Sequence, residues 1–300
     1  MRVTILGNNS ALPAFGRHPT AQTVTMYGEV VLIDCGEGTQ IQMQRYGIKW
    51  KNVNHIFISH MHGDHYFGLP GLINSMSLLG RVAPLNLYGP ANLKPIIDAI
   101  LQAANTELKY PLVFQPIPAE TALLVDMPTF SVRSFPVVHG IDCYGFLIEM
   151  KTRGRRILPE KCMEYGIPSE YFEQLKQGHD YMDASGKTVN NALVTEDGPA
   201  PKKYAYCSDT LFTESFLPLI QGVDMLYHES TYLEADADKA AARYHSTAIQ
   251  AARIAVLAKA KQLLLGHFSS KYKDLEIFAE EAASVFSGAI VSVEGVAYDI

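Results

Sequence analysis

A chain of 300 residues with 48% hydrophobic side chains has room for one or two domains with a substantial core, and its net charge of −6 argues against non-specific nucleic-acid binding over the whole surface, so a nucleic-acid substrate would need a local basic patch. Cys35, Cys143, Cys162 and Cys207 contain no C-x-x-C pair, which excludes a small disulfide framework and reads as buried thiols. Met1–Ser10 carries one arginine and too short an apolar run for a signal peptide, and no apolar run reaches membrane-spanning length, so the expected location is the cytoplasm, with no membrane contact.

In chain order, Arg2 to Leu6 alternates as a strand and ends at the turn Gly7-Asn8-Asn9, and strands near Thr23–Met26 and Val30–Ile33 form a hairpin through Tyr27-Gly28-Glu29. Asp34-Cys35-Gly36-Glu37-Gly38-Thr39-Gln40 follows, and a short helix is expected over Thr39–Tyr46. The apolar run Ile56, Phe57, Ile58 then reads as a buried strand, and directly after it His60, His62, Asp64 and His65 spell H-x-H-x-D-H. Open α/β sheets place their sites at the carboxyl ends of strands, which is where this loop should lie. In an extended loop residues two apart face the same way, so His60 and His62 share one metal while Asp64 and His65 aim at another. Chance supplies this pattern in about one chain in two thousand of this composition. Beyond it, Leu69, Leu72, Ile73, Met76 and Leu79 recur at helical spacing, which sets Asp64 and His65 at or near a helix start that favours an anion.

The motif with its continuation Tyr66-Phe67-Gly68-Leu69-Pro70-Gly71-Leu72 resembles the signature of the ribonuclease Z family, tRNA 3′-processing endonucleases of the metallo-β-lactamase superfamily. The resemblance covers nearly the whole chain. It implies an α/β fold, a four-layer αβ/βα sandwich of the metallo-β-lactamase type, as one domain over 1–300 with a protruding arm inserted at about 151–203 that binds substrate. In the family the aspartate of D-C-G-E-G-T-Q braces the histidine loop; on residues alone Asp34 reads equally as a strand-end aspartate capping a glycine turn.

Strand and helix signals alternate through Leu85–Tyr88, Leu93–Ala104 and Leu112–Ile117, and a β run over Phe130–Val138 ends at His139, where the family places a third histidine ligand. Residues 151–203 change character, with nine basic and eight acidic residues, the cluster Lys151, Arg153, Arg155, Arg156, and breakers that include Pro159, Gly166, Pro168, Gly178 and Pro199. The resemblance makes this the tRNA-clamping arm; the charge run from Lys151 to Arg156 has the alternative reading of a solvated face. Gly166-Ile167-Pro168 continues as Ser169-Glu170-Tyr171-Phe172 rather than the Gly-Pro-Leu of many bacterial members, so the arm tip departs from the common one.

The strand at Tyr204–Cys207 ends in Ser208-Asp209-Thr210, similar to a family G-D-T whose aspartate bridges two metals. Met225–Tyr227 leads into His228-Glu229-Ser230-Thr231, where His228 is read as structural because the ligand set fills without it. His245-Ser246-Thr247 precedes a helix with a capping box from Thr247 and Gln250, so a helix dipole disfavours the His245 imidazolium until a phosphate restores its proton. Gly266-His267-Phe268-Ser269-Ser270-Lys271-Tyr272 resembles H-F-S-x-R-Y with lysine at the arginine position, which keeps the charge but loses the bidentate fork. A helix over Asp274–Phe286 and a last strand over Ala289–Val293 complete the chain.

The implied centre holds two zinc ions, one on His60, His62 and His139, the other on Asp64, His65 and His267, with Asp209 between them; manganese or iron also accept nitrogen and oxygen donors. Asp64 would orient the nucleophile or take its proton, and His245 would protonate the departing 3′ oxygen. The implied activity is zinc-dependent removal of the 3′ trailer from precursor tRNA by a cytoplasmic homodimer. Another hydrolase of the superfamily, acting on a small phosphodiester or thioester, and a non-catalytic RNA-binding module with a closed structural metal are the alternatives.

Overall fold

β-Branched and aromatic runs build two seven-stranded sheets. The computed structural model describes residues 1–152, 154–198 and 200–300, so Arg153 of the basic cluster and the breaker Pro199 lie outside the described residues. The chain divides into two compact units, one of Met1–Glu149 with Lys202–Ile300, the other of Met150–Pro201.

In the larger unit the first sheet takes β1 (Arg2–Gly7), β2 (Ala21–Met26), β3 (Glu29–Ile33), β4 (Val53–Phe57), β5 (Leu85–Gly89) and β6 (Leu112–Pro116) in sequence order. The second takes β7 (Ala122–Asp126), β8 (Phe130–Pro136) and β9 (Tyr144–Met150). In the smaller unit lie the short strands β10 (Arg156–Ile157), β11 (Tyr181–Met182), β12 (Thr188–Val189) and β13 (Thr195–Glu196). The second sheet then continues with β14 (Lys202–Cys207), β15 (Met225–Glu229), β16 (Leu263–Gly266) and β17 (Ala289–Val291). The final strand, β18 (Ala297–Asp299), returns to pair with β1. Each sheet is antiparallel at one end and parallel at the other: β3 to β6 run parallel in the first, β14 to β17 in the second. Parallel strands need covered faces. Helices α1 (Thr39–Arg45), α2 (Gly63–Tyr66), α3 (Leu69–Leu78) and α4 (Leu93–Ala103) follow strands of the first sheet, and α1, α3 and α4 supply Met43, Leu72, Ile73, Met76 and Ile97 to a core with Leu32, Ile56 and Leu87.

The smaller unit carries α5 (Pro159–Glu164) and α6 (Phe172–Lys176) around a core of its own, Cys162, Ile167, Leu175, Val189 and Val194. Helices α7 (Ala237–Ala242), α8 (Ala248–Leu257) and α9 (Glu276–Ala283) belong to the second sheet, where Ala251, Ile254, Ala255 and Phe278 pack against Leu226, Leu263 and Leu265. The inner faces of the two sheets meet through aromatic residues: Phe57 of β4 lies 5.3 Å from Phe146 of β9, and Tyr206 of β14, stacked on its sheet neighbour Tyr227 at 5.0 Å, donates its hydroxyl to Asp34 at the end of β3. The result is the four-layer helix–sheet–sheet–helix sandwich. Strands β7, β9 and β18 were not expected from the sequence; β18 is three residues long and held by its pairing with β1, a long-range contact without local signal. The expected hairpin closes at Tyr27 and Gly28, both with positive φ, as a two-residue hairpin turn requires.

Candidate metal centre

The parallel strands deliver the candidate residues. Ile58 to His62 extends from the end of β4, and His62 is the residue before α2, which carries Asp64 and His65. His139 follows β8, Asp209 follows β14, and His267 follows β16 with φ 59°, a left-handed conformation uncommon for a residue with a Cβ. His245 lies two residues before Thr247, the N-cap of α8, whose capping box with Gln250 is present.

These side chains converge in two groups: His60, His62, His139 and Asp209, with one ligand atom from each within 4.8 Å of the others, and Asp64, His65 and His267 under the same limit. His62 Nδ1 faces both His60 Nε2 and His139 Nε2 at 3.1 Å, and His65 Nε2 faces His267 Nε2 at 3.2 Å. Asp209 stands between the groups, with Oδ2 3.6 Å from His60 Nε2 and 3.5 Å from His65 Nε2, and Oδ1 3.2 Å from His267 Nε2. Its Oδ1 is buried without a hydrogen-bond partner.

The outer nitrogens fix the tautomers. His65 Nδ1 donates to Asp34 Oδ2 at 2.8 Å, and His60 Nδ1 reaches the same carboxylate through Ser59, whose hydroxyl donates to Asp34 at 2.9 Å. His139 Nδ1 donates to the Tyr244 carbonyl at 3.0 Å. His267 Nδ1 donates to Thr231 Oγ1 at 3.0 Å, and that hydroxyl donates to Glu229 at 2.7 Å. With their protons placed outward, these rings aim lone pairs at one another. Convergent imidazole lone pairs around an unpartnered carboxylate oxygen are satisfied by a divalent cation, and nitrogen and oxygen donors without thiolate suit one of intermediate hardness.

Charge balance agrees. Burial, with His65 beside it, drives the His60 pKa far below its ordinary value, and burial and His139 lower that of His62, as neutral ligands require. Burial would also lower His65, but Asp209, Asp64 and Asp34 hold it well above its ordinary value in the metal-free protein. A cation entering there would replace that proton. Burial raises Asp64 and Asp209, yet the histidines around each keep both below the usual carboxylate range.

His245 Nδ1 lies 3.0 Å from Glu229 Oε1 and 3.2 Å from Thr231 Oγ1. Burial lowers its pKa, but the Glu229 carboxylate carries it up to about 9, so the proton expected from a phosphate is already held by a carboxylate. His245 also forms a donor group with Asp209 and His267, its Nδ1 3.9 Å from Asp209 Oδ2, but that nitrogen is committed to Glu229. His228 bonds the Glu229 carbonyl through Nδ1 and enters none of these groups.

Sequence reasoning missed Glu229. Fully buried, it also accepts from the backbone N–H groups of Thr210 (3.1 Å), Thr231 (2.9 Å) and Ser246 (2.8 Å), tying together the segments that carry Asp209, His245 and His267. Its signal was its place in His228-Glu229-Ser230-Thr231 at a strand end. For Asp34 the structure decides between the two readings: it accepts from Ser59, His65 and Tyr206, and so braces the histidine loop. The cleft above is lined by Ser10 to Pro13, Glu37, His62, Asp64, Phe67, Asp209 and His245.

Two facing sheets covered by helices, with histidines and aspartates converging at the strand ends, define a metal-dependent hydrolase of the metallo-β-lactamase fold. Solved structures agree: over 100% of this chain and 99% of its own, human tRNase Z, short form, superposes with a TM-score of 0.72 at 26% identity. The metallo-beta-lactamase fold protein YhfI from Bacillus subtilis superposes with a TM-score of 0.70 at 19% identity, over 99% of this chain and 98% of its own. Ribonuclease Z of Parabacteroides distasonis is 42% identical over 98% of this chain and 97% of its own, and ribonuclease Z of Cytophaga hutchinsonii 43% identical over 97% and 93%. The chain belongs to the ribonuclease Z family, and its residues 1–155 also place it in the family described as Anti-Pycsar protein Apyc1. It is a metal-dependent endonuclease acting on phosphodiester bonds.

Proposed function

We propose that this chain is a zinc-dependent endoribonuclease that removes the 3′ trailer from precursor tRNA, leaving a 3′-hydroxyl on the tRNA and a 5′-phosphate on the trailer. The observation that carries the reading is the pair of donor groups with Asp209 within 3.6 Å of histidines of both, in an open cleft, in a chain related over nearly its full length to proteins named ribonuclease Z. His60, His62 and His139 would hold one zinc, Asp64, His65 and His267 a second, and Asp209 both. Two zinc ions there would neutralise the phosphate and bring the pKa of a bound water toward neutrality. Asp64, anchored by the Ala11 N–H at 2.7 Å, orients the nucleophile; held below the usual carboxylate range, it is a poor proton acceptor. His245, with Nδ1 fixed on Glu229, presents Nε2 to the cleft and protonates the departing 3′ oxygen.

Residues 151–203 serve as the substrate-binding arm of the single domain. Arg155 is paired with Asp197 and Arg156 with Glu196, both at 2.6 Å; exposed pairs of this kind are worth about 0–1 kcal/mol and exchange readily for phosphate. A homodimer is supported by the apolar groove between α1 and α3, lined by Ile41, Ile48, Trp50, Met76 and Leu79. No helix among the described residues is long and apolar enough to cross a membrane, and we place the protein in the cytoplasm.

The test is to incubate zinc-loaded protein with a 3′-extended precursor tRNA, with Asp209→Ala as control, and map the product ends. Cleavage immediately 3′ of the discriminator nucleotide, abolished in the control, is expected. Hydrolysis of a small phosphodiester without cleavage of the RNA would replace this reading with the other hydrolase.

A further inference from the structure

We propose that Phe67 is the stacking platform for a nucleobase next to the scissile phosphate, an inference that rests on the RNA reading above. Phe67 follows α2 and lines the cleft together with His62, Asp64, Asp209 and His245, yet it is 64% exposed. A phenylalanine left this open beside the candidate donor groups has an apolar face that nothing among the described residues covers. Its position is held from two sides. The Tyr66 ring meets it edge-on at a centroid distance of 5.0 Å, and a Cβ on Gly63 would fall 2.2 Å from its ring, so the ring rests directly on the backbone between His62 and Asp64. The same cleft is lined by Leu12, itself 50% exposed, and Pro13, which offer no hydrogen-bonding side chain.

A phosphate at the donor groups brings the attached nucleosides within a few ångströms of these residues. RNA-binding proteins read unpaired nucleotides by stacking bases on aromatic rings, which every base accepts through its π-face. Phe67 meets that requirement without sequence preference, as an enzyme acting on many tRNAs needs. The ring touches substrate but moves no proton and holds no metal; it orients the strand for in-line attack, so its loss should appear in KM more than in metal content.

The experiment compares the zinc-loaded full chain with Phe67→Ala and Phe67→Tyr on precursor tRNA, and on two substrates in which the nucleotide 5′ or 3′ of the cleavage site is replaced by an abasic ribose. Stacking of one base is worth roughly 5- to 150-fold on alanine substitution. Phe67→Ala should therefore lower kcat/KM by about that factor, mainly through KM, with metal content unchanged; Phe67→Tyr should restore it. On one of the two abasic substrates the difference between wild type and Phe67→Ala should vanish. If Phe67→Ala cleaves normally, or loses the same factor on all three substrates, the platform is overturned while the endoribonuclease reading stands. If wild-type enzyme cuts none of the three, that reading fails and the platform with it.

Discussion

Asp34 and Glu229 perform the same operation in opposite sheets. Each is a buried carboxylate at the end of a parallel strand, β3 or β15, and each grips one imidazole directly and another through a hydroxyl. Asp34 holds His65 directly and His60 through Ser59; Glu229 holds His245 directly and His267 through Thr231. The difference lies in what the directly held histidine faces. His65 Nε2 points at the other donors, 3.2 Å from His267, whereas His245 keeps Nδ1 on Glu229 and opens on the cleft. On the proposed reading, one arrangement would serve a metal ligand in one half and a proton donor in the other. A carboxylate behind an imidazole raises its basicity in both cases, and only what lies in front decides which use follows.

The largest effect should separate those two histidines. His65→Ala is expected to lose metal from its group and nearly all turnover, while His245→Ala keeps its metal and loses about 10²–10⁴-fold in kcat. Elemental analysis beside precursor cleavage reads both. Equal metal loss in the two variants would erase the distinction and make His245 a ligand.

Next come the braces. Asp34→Asn should weaken metal binding by about 10- to 100-fold, measured by competition with a chelator. Glu229→Gln should instead move the basic limb of the kcat–pH profile toward lower pH, because the carboxylate that lifts His245 to about 9 is gone. A profile unchanged in Glu229→Gln would remove the proton donor from this pair.

Acidity offers a third contrast. His245 rises from its ordinary 6.5 to about 9, so in metal-free protein its pairing with Glu229 stabilises fully below about pH 6.5 and is lost as pH climbs through about 9. His65, also raised, adds in the same direction, whereas Glu229 and Asp209 are lowered, so their contribution is present above the carboxylate range and lost on acidification. The Tm of metal-free protein should therefore peak in mildly acidic buffer and fall toward pH 9. The metal-loaded protein should behave oppositely over the neutral range, releasing metal by pH 4 as its histidines protonate; retention at pH 4 would contradict the histidine ligand set.

The smallest effect is expected outside both braces. Arg156→Ala removes an exposed pair with Glu196 and should change stability by less than about 1 kcal/mol by denaturant titration, with metal content untouched.

From its own residues the sequence determined what is local. Apolar runs located the strands of both sheets that carry the candidate ligands, the spacing of His60, His62, Asp64 and His65 followed from one loop leaving one strand, and the capping box at Thr247 needed only residues three apart. Asp34 was visible because its glycine-rich turn marks a strand end, though its role was not. Tertiary structure alone decided the partnerships. Glu229 reads as one more acidic residue until β14, β15 and β16 lie side by side and bring Thr210, Ser246 and, through Thr231, His267 to its oxygens. The charge on His245 changed for the same reason: a helix end disfavours its proton locally, but a buried carboxylate 16 residues away in sequence and 3.0 Å away in space outweighs the dipole. The basic run at Lys151 to Arg156 likewise looked open in sequence, whereas folding set Asp197 against Arg155 and Glu196 against Arg156. Pattern along a chain records which face a residue presents. Burial and long-range neighbours set what its charge does.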